Sequence, residues 1–309
     1  MKRRKKRASR RKATPAKPVT VSELIRSITA QLKRARLVFA HGTTDPLAEA
    51  AFMVGETLGI HPDHIDARAG MTVAAAQQKK IAALVRQRIR TRKPVAYLLR
   101  RIYMRGVPFH IDERAIVPRS YVGEILDSEM LADEDFSLLP GSVESVLDLC
   151  SGSGCLAILA ALRFPNARVD AVELSRPALA VARKNVAAHR LGRRVRLLSG
   201  DLFAPVRHRR YDLIIANPPY VDRKGMAALP AECRHEPVMA FDGGADGLSV
   251  VRRIIDEAGA HLNKGGGLLC EVGRGRKALE RAYPDVPFLW LDTEDSSGEV
   301  FWLDAAALR

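Results

Sequence analysis

Asp148-Leu149-Cys150-Ser151-Gly152-Ser153-Gly154-Cys155 closes an apolar run, 146–149, and opens a helical stretch. Glycines at such a junction permit a tight turn and let a ligand approach backbone N–H groups at a helix N-terminus, which is the placement of a nucleotide-type cofactor site. The stretch satisfies G-x-G-x-x-A through Gly152, Gly154 and Ala157. Glu173 follows about 20 residues on, at the end of the next apolar run, where a carboxylate would grip ribose hydroxyls. These features alone fit a nicotinamide cofactor too.

Outward from that loop, short apolar runs at 146–149, 169–174, 195–198, 213–216 and 268–272 alternate with helical stretches. Alternation of this kind requires a parallel sheet with helices on both faces, a doubly wound α/β fold. The runs 288–291 and 300–303 flank Ser296-Ser297-Gly298 and are expected to pair antiparallel. Upstream, apolar residues recur three and four apart in Leu24, Ile25, Ile28, Leu32 and again in Ile81, Leu84, Val85, Ile89, so residues 19–99 read as a small helical domain. Thr20 is placed to cap its first helix with Glu23 three residues on. Between them, Tyr103, Val107, Phe109, Ile111 and Ile116 around Gly106 read as a β-hairpin over 100–117 that links the helical domain to a larger domain, 118–309.

Hydrophobic residues make up 47% and charged residues 28% of the 309, ordinary values for a packed globular chain. The net charge of +15 is unevenly placed, because residues 1–18 hold ten Lys or Arg and no acid. Such a run repels itself and lacks apolar residues, so it reads as a disordered basic tail whose electrostatics would attract RNA non-specifically. No apolar run approaches the roughly 18–20 residues of a membrane span, and no secretory signal follows the basic start, so a cytoplasmic protein without a membrane partner is expected. Cys150, Cys155, Cys233 and Cys270 lack C-x-x-C spacing and read as free, mostly buried thiols. His61 and His64 are three apart without a further ligand nearby, so no metal is expected.

Two further motifs narrow the chemistry. Gly200-Asp201-Leu202-Phe203 follows the third run, and Asn217-Pro218-Pro219-Tyr220 follows the fourth. Neither is expected of a dehydrogenase. Asn-Pro-Pro-Tyr at a strand end resembles the motif of methyltransferases that act on amide or exocyclic amino nitrogens. An amide nitrogen is a feeble nucleophile because its lone pair is delocalised into the carbonyl. If the Asn217 side-chain oxygen and the Pro218 carbonyl accept its two hydrogens, the lone pair can be aimed at a methyl donor. The prolines stiffen the backbone that supplies the acceptor, and the electron-rich face of Tyr220 suits the positive charge that develops on nitrogen.

The sequence as a whole resembles the glutamine N5-methyltransferases of translation, from about residue 97 to the C-terminus. Besides the motifs above, the likeness rests on Val117-Pro118-Arg119-Ser120, Leu229-Pro230-Ala231-Glu232, Arg234-His235-Glu236-Pro237, Asp246-Gly247-Leu248 and Glu271-Val272-Gly273. The branch that modifies peptide-chain release factors typically has Pro-Arg-Pro-Glu-Thr-Glu where this chain has Pro118-Arg119-Ser120-Tyr121-Val122-Gly123, and usually has Gly in place of Cys150. The branch that modifies the large-subunit ribosomal protein uL3 has Pro-Arg-Ser there, and a cysteine in the loop.

That resemblance implies a Rossmann-like class I fold with a seven-stranded, mostly parallel sheet, S-adenosyl-L-methionine as cofactor, and uL3 as protein substrate, free or in an assembling ribosomal particle. It implies that Asp148, Cys150, Ser151, Gly152, Ser153 and Gly154 wrap the amino-acid end of the cofactor. Glu173 with Leu174 would take its ribose, and Asp201 with Leu202 its adenine. Asn217, Pro218, Pro219 and Tyr220 would hold the glutamine, with Arg119 beside them. Where the family often has an aromatic in the hairpin, this chain has Met104, so Met104 or its neighbour Tyr103 would line that pocket. The Arg234–Pro237 segment is expected to be structural or to dock substrate.

Three other readings stand beside this one. A release factor as substrate would keep the chemistry. An adenine-N6 nucleic-acid methyltransferase faces a similar nitrogen, but the chain shows no added target-reading domain and its basicity sits in the tail instead of along a groove. A non-catalytic ribosome-assembly factor would not need the intact Asn217–Tyr220 motif.

Overall fold

The first helix, α1 (Val21–Arg34), starts in a reciprocal cap: Glu23 N–H donates to the Thr20 hydroxyl at 3.3 Å, and Thr20 N–H donates to the Glu23 carboxylate at 2.9 Å. Such a cap stabilises a helix start by about 1 kcal/mol. Asp45 caps α2 (Pro46–Leu58), which stops at Gly59 in the left-handed region. With α3 (Ala75–Thr91) and α4 (Val95–Leu99), these helices enclose a core of their own that includes Val21, Ile28, Leu32, Met53 and Ile81. Inside it, Arg88 is fully buried and donates to both Glu49 oxygens, at 2.9 and 3.3 Å.

The computed structural model describes residues 18–131, 138–139, 141–294 and 296–308, so the basic run over 1–17 lies outside the described residues. The expected hairpin is present but short, β1 (Ile102–Met104) and β2 (Val107–Phe109). Its two turn residues, Arg105 and Gly106, both have positive φ, the backbone that matches the strand twist of a tight hairpin. After α5 (Val122–Asp127) the seven-stranded sheet begins: β3 (Ser145–Leu149), β4 (Arg168–Glu173), β5 (Val195–Ser199), β6 (Tyr211–Ala216), β7 (Leu262–Glu271), β8 (Leu289–Asp292) and β9 (Ser297–Asp304). Their order is β5-β4-β3-β6-β7-β9-β8. The first five are parallel, and β9 runs antiparallel to both β7 and β8, as the two C-terminal apolar runs predicted. This is a Rossmann-like class I methyltransferase fold.

Helices cover both faces. Val146, Leu213 and Ile215 point to the side packed by α6 (Cys155–Arg163), α7 (Arg176–Ala188) and the hairpin. Leu147, Leu149 and Ile214 point to the other, packed by α9 (Ser249–Ala258) and α10 (Arg276–Ala282), while the short α8 (Arg223–Ala227) follows β6. Strand β7 departs from expectation: it starts at Leu262, not 268, and runs through Gly265, Gly266 and Gly267. A β-carbon on Gly267 would lie 2.1 Å from the Trp302 ring, so a glycine is required for the strand to pack there. Among the described residues no helix is long and apolar enough to cross a membrane.

Candidate active site

Strand order reverses between β3 and β4 on one side and β6 on the other, so the loops leaving the C-terminal ends of β3 and β6 lie side by side. In doubly wound sheets ligands bind at this point. Here it brings together residues 150–154 and 217–220.

Two cavities meet there. One, of about 340 Å³, is lined by Cys150, Gly152, Glu173, Leu174, Asp201 and Leu202. The second, of about 320 Å³, is lined by Ser151, Ser153, Met104, Arg119, Pro218 and Tyr220. Asn217, Cys150 and Gly152 line both, whereas Pro219 faces the first alone. A small-molecule site of roughly 300 Å³ or more, sharing with a second cleft a wall that includes the Asn217 side chain, is the shape a two-substrate transfer needs.

Most residues of the glycine loop act through backbone. Cys150 and Gly152 have φ of 57° and 55°, and Gly152 N–H donates to the Glu173 carboxylate at 2.8 Å. Ser175 N–H donates to its other oxygen at 2.7 Å, and burial raises the Glu173 pKa. Asp148 and Gly154 line neither cavity. Asp148 is fully buried at the end of β3, accepts from Ala157 N–H at 3.0 Å, and is pushed far above the usual carboxylate range by burial. Gly154 lets α6 start close to α7, since a β-carbon on it would lie 3.2 Å from that of Ala182. Two buried polar atoms beside the loop, Asp148 Oδ1 and Ser151 Oγ, have no protein partner among the described residues. Unpaired buried polar groups are costly, and of the two only Ser151 lines a cavity, so its hydroxyl suits a ligand with a polar end. Asp201, at the cavity mouth, pairs with Arg253 at 2.8 Å.

In the second cavity the Asn217 side-chain N–H donates to the Arg119 carbonyl at 3.3 Å, which leaves the Asn217 oxygen available. Arg119 is itself held: its guanidinium donates to both Glu236 oxygens, at 2.9 and 3.1 Å, and lies over the Phe241 ring. Glu236 is buried and also accepts from Val117 N–H at 2.9 Å, with His41 of the helical unit 3.1 Å away. Burial alone would raise its pKa, but His41 and Arg119 outweigh that and hold it below the usual range. Glu232 clamps the same unit by accepting from Val38 N–H at 3.0 Å and pairing with Arg92 at 2.6 Å. The 232–236 segment therefore fastens the helical unit to the catalytic one.

Tyr220 is fixed from behind. Its hydroxyl donates to Glu271 at 2.9 Å, and Glu271 also accepts from the Ser120 hydroxyl at 2.6 Å and Tyr121 N–H at 3.0 Å. Burial pushes the Glu271 pKa up to about 7. Gly273, with φ 52°, sits under the ring; a β-carbon there would approach it to 2.6 Å. Sequence reasoning gave Glu236, Glu271 and Gly273 no individual role, although a lone acid inside the buried 268–272 run was a visible signal.

The hairpin settles which neighbour faces the site. Met104 lines the second cavity, while Tyr103 turns to the opposite side, where its hydroxyl donates to Glu56 at 2.7 Å beside a separate cavity of the helical unit. Successive strand residues point to opposite faces, so only one of the two can serve. Cys150 is half-buried and the other three cysteines are buried, all free.

The Methyltransferase small domain family matches residues 129–231. Among solved structures, the hMettl16 catalytic domain is similar over 82% of this chain and 88% of that one, with a TM-score of 0.50 and 14% identity, a likeness of fold. A ribosomal protein uL3 glutamine methyltransferase of Bradyrhizobium diazoefficiens is 59% identical over 94% of this chain and 92% of its own length. One of Burkholderia pseudomallei is 45% identical over 96% and 97%. The chain thus belongs to the ribosomal protein uL3 glutamine methyltransferase family.

Proposed function

We propose that this protein transfers the methyl group of S-adenosyl-L-methionine to the side-chain amide nitrogen of a glutamine in uL3, with Asn217, Pro218, Pro219 and Tyr220 as the motif that holds the glutamine. The observation that carries the reading is Asn217, which lines both cavities while its N–H is taken by the Arg119 carbonyl.

S-adenosyl-L-methionine supplies, when bound, an electrophilic methyl group on a sulfonium. The residues that would hold it line the first cavity, Cys150, Gly152, Glu173, Leu174, Asp201 and Leu202, with the orphaned Ser151 hydroxyl of the adjoining cavity suited to its charged amino-acid end. The volume and this donor set fit the group. On the other side of Asn217, the side-chain oxygen and the Pro218 carbonyl accept the two hydrogens of the glutamine amide and draw its lone pair out of carbonyl resonance. Pro218 and Pro219 keep the acceptor carbonyl rigid. The ring of Tyr220, locked by Glu271 and Gly273, packs on the amide and tolerates charge on its nitrogen. One amide hydrogen then leaves as a proton to water, so no strong base is needed. Residues 19–99, fastened by Glu232 and Glu236, are positioned to present the protein substrate.

Asn217→Ala tests the mechanism. Loss of one acceptor that acts in the transition state costs about 10²–10³ in turnover. Binding of S-adenosyl-L-methionine, followed by calorimetry, should stay within a few-fold. Turnover close to that of the unmodified protein would remove Asn217 from the reaction.

A further inference from the structure

The N-terminal ends of β4, β5 and β6 form a cleft of about 540 Å³ on the side of the sheet away from the active site. Arg168, Arg193, Arg194, Arg196, Arg209 and Arg210 line it against two carboxylates, Asp170 and Glu144, an excess of four positive charges. Residues this far apart in the chain gave no sign of a groove, so the expectation that basicity is confined to the tail is corrected here.

The cleft is organised. Arg196 donates to both Asp170 oxygens at 2.8 and 2.7 Å, and Arg209 donates to one at 3.1 Å. Arg194 is pinned by the Ala161 carbonyl at 2.6 Å and Arg210 by the Leu262 carbonyl at 2.8 Å. These four are anchored through part of their guanidinium and keep further N–H donors. Arg168 and Arg193 are exposed, and their side chains have no hydrogen bond or ion pair among the described residues.

We propose that this cleft binds the phosphodiester backbone of a nucleic acid without reading its bases. The cations are all guanidinium groups, whose planar fork matches phosphate oxygens in pairs. Few apolar side chains interrupt them, which an acidic protein partner would need as an interface core. The one aromatic in the lining, Tyr211, has its hydroxyl committed to Asp170 at 2.7 Å, and nothing there offers a base-stacking platform. Strands of five to six residues separate this cleft from Glu173 and Asn217, a distance of ~17–20 Å, so a bound strand would leave the catalytic cavities open.

The test uses the full chain, so that the basic tail contributes equally throughout. Binding of fluorescein-labelled RNA and DNA of about 20 nucleotides is measured by anisotropy from about 0.05 to 0.3 M salt for the unmodified protein, Arg168→Gln/Arg193→Gln, and a charge-matched control on α3, Arg86→Gln/Arg90→Gln. Two lost phosphate contacts should flatten the log–log salt slope by about 1.4 and weaken binding roughly ten-fold near physiological salt, with the control near the unmodified protein. Methyl transfer to a free protein substrate should be unchanged in the cleft variant, which shows that it folds. Comparison of the two sugars tells which nucleic acid the cleft prefers. Equal losses in cleft and control variants, or displacement of the label by poly-glutamate as effective per charge as unlabelled RNA, would overturn the proposal.

Discussion

The substitution Glu271→Gln isolates a cost that the active site imposes on the fold. The carboxyl is buried, and its pKa rises from 4.5 to about 7. Below pH 4.5 it is protonated in folded and unfolded chains alike and does not bias folding. As pH rises through the window from 4.5 to about 7, the unfolded chain gives up this proton while the folded one keeps it, so stability falls. At about 1.36 kcal/mol per pKa unit the loss is complete above about pH 7 and amounts to ~3 kcal/mol. The amide in the variant cannot ionise. It also cannot accept from Ser120, Tyr121 and Tyr220 as a carboxylate does, but that offset does not depend on pH. Urea unfolding of both proteins at several pH values from about 5 to 8, without cofactor, should give a stability difference that shifts by most of ~3 kcal/mol in favour of the variant as pH rises. Asp148 and Glu173, also raised by burial, are common to both proteins and cancel. Parallel pH profiles would refute the reasoning.

Two further substitutions probe other parts of the account. Gly273→Ala puts a β-carbon 2.6 Å from the Tyr220 ring in a left-handed backbone position, and should lower kcat/KM by about 10² through displacement of that ring while S-adenosyl-L-methionine affinity stays within a few-fold. Glu49→Ala strands the fully buried Arg88 and should destabilise the protein by ~3–5 kcal/mol in chemical denaturation, whereas Glu49→Met with Arg88→Met should recover most of it.

The fold and the centre of the site were legible where local pattern and tertiary demand coincide. The Asp148–Cys155 loop, the Asn217–Tyr220 turn, the Thr20–Glu23 cap and the antiparallel C-terminal pair carry their geometry in consecutive residues, and each stands where expected. Legibility failed where the deciding contact comes from elsewhere in the chain. The apolar run at 268–272 marked only the second half of β7, because nothing local shows Trp302 lying against Gly267. Tyr103 and Met104 could not be told apart without knowing which face of β1 meets the site. The Arg119 carbonyl that orients Asn217 is 98 residues away from it, and Glu236 and Glu271 reach Val117 and Ser120 across 119 and 151 residues respectively. The arginine cleft assembles from four separate segments, each ordinary by itself.

The central claim is tested most directly by a labelled methyl-transfer assay that offers purified uL3 and a release factor side by side, with mass spectrometry to locate the added methyl. The account predicts methyl on a side-chain amide nitrogen of a glutamine in uL3, and none on the release factor. Methyl on the release factor alone, or on a residue other than glutamine, would contradict it.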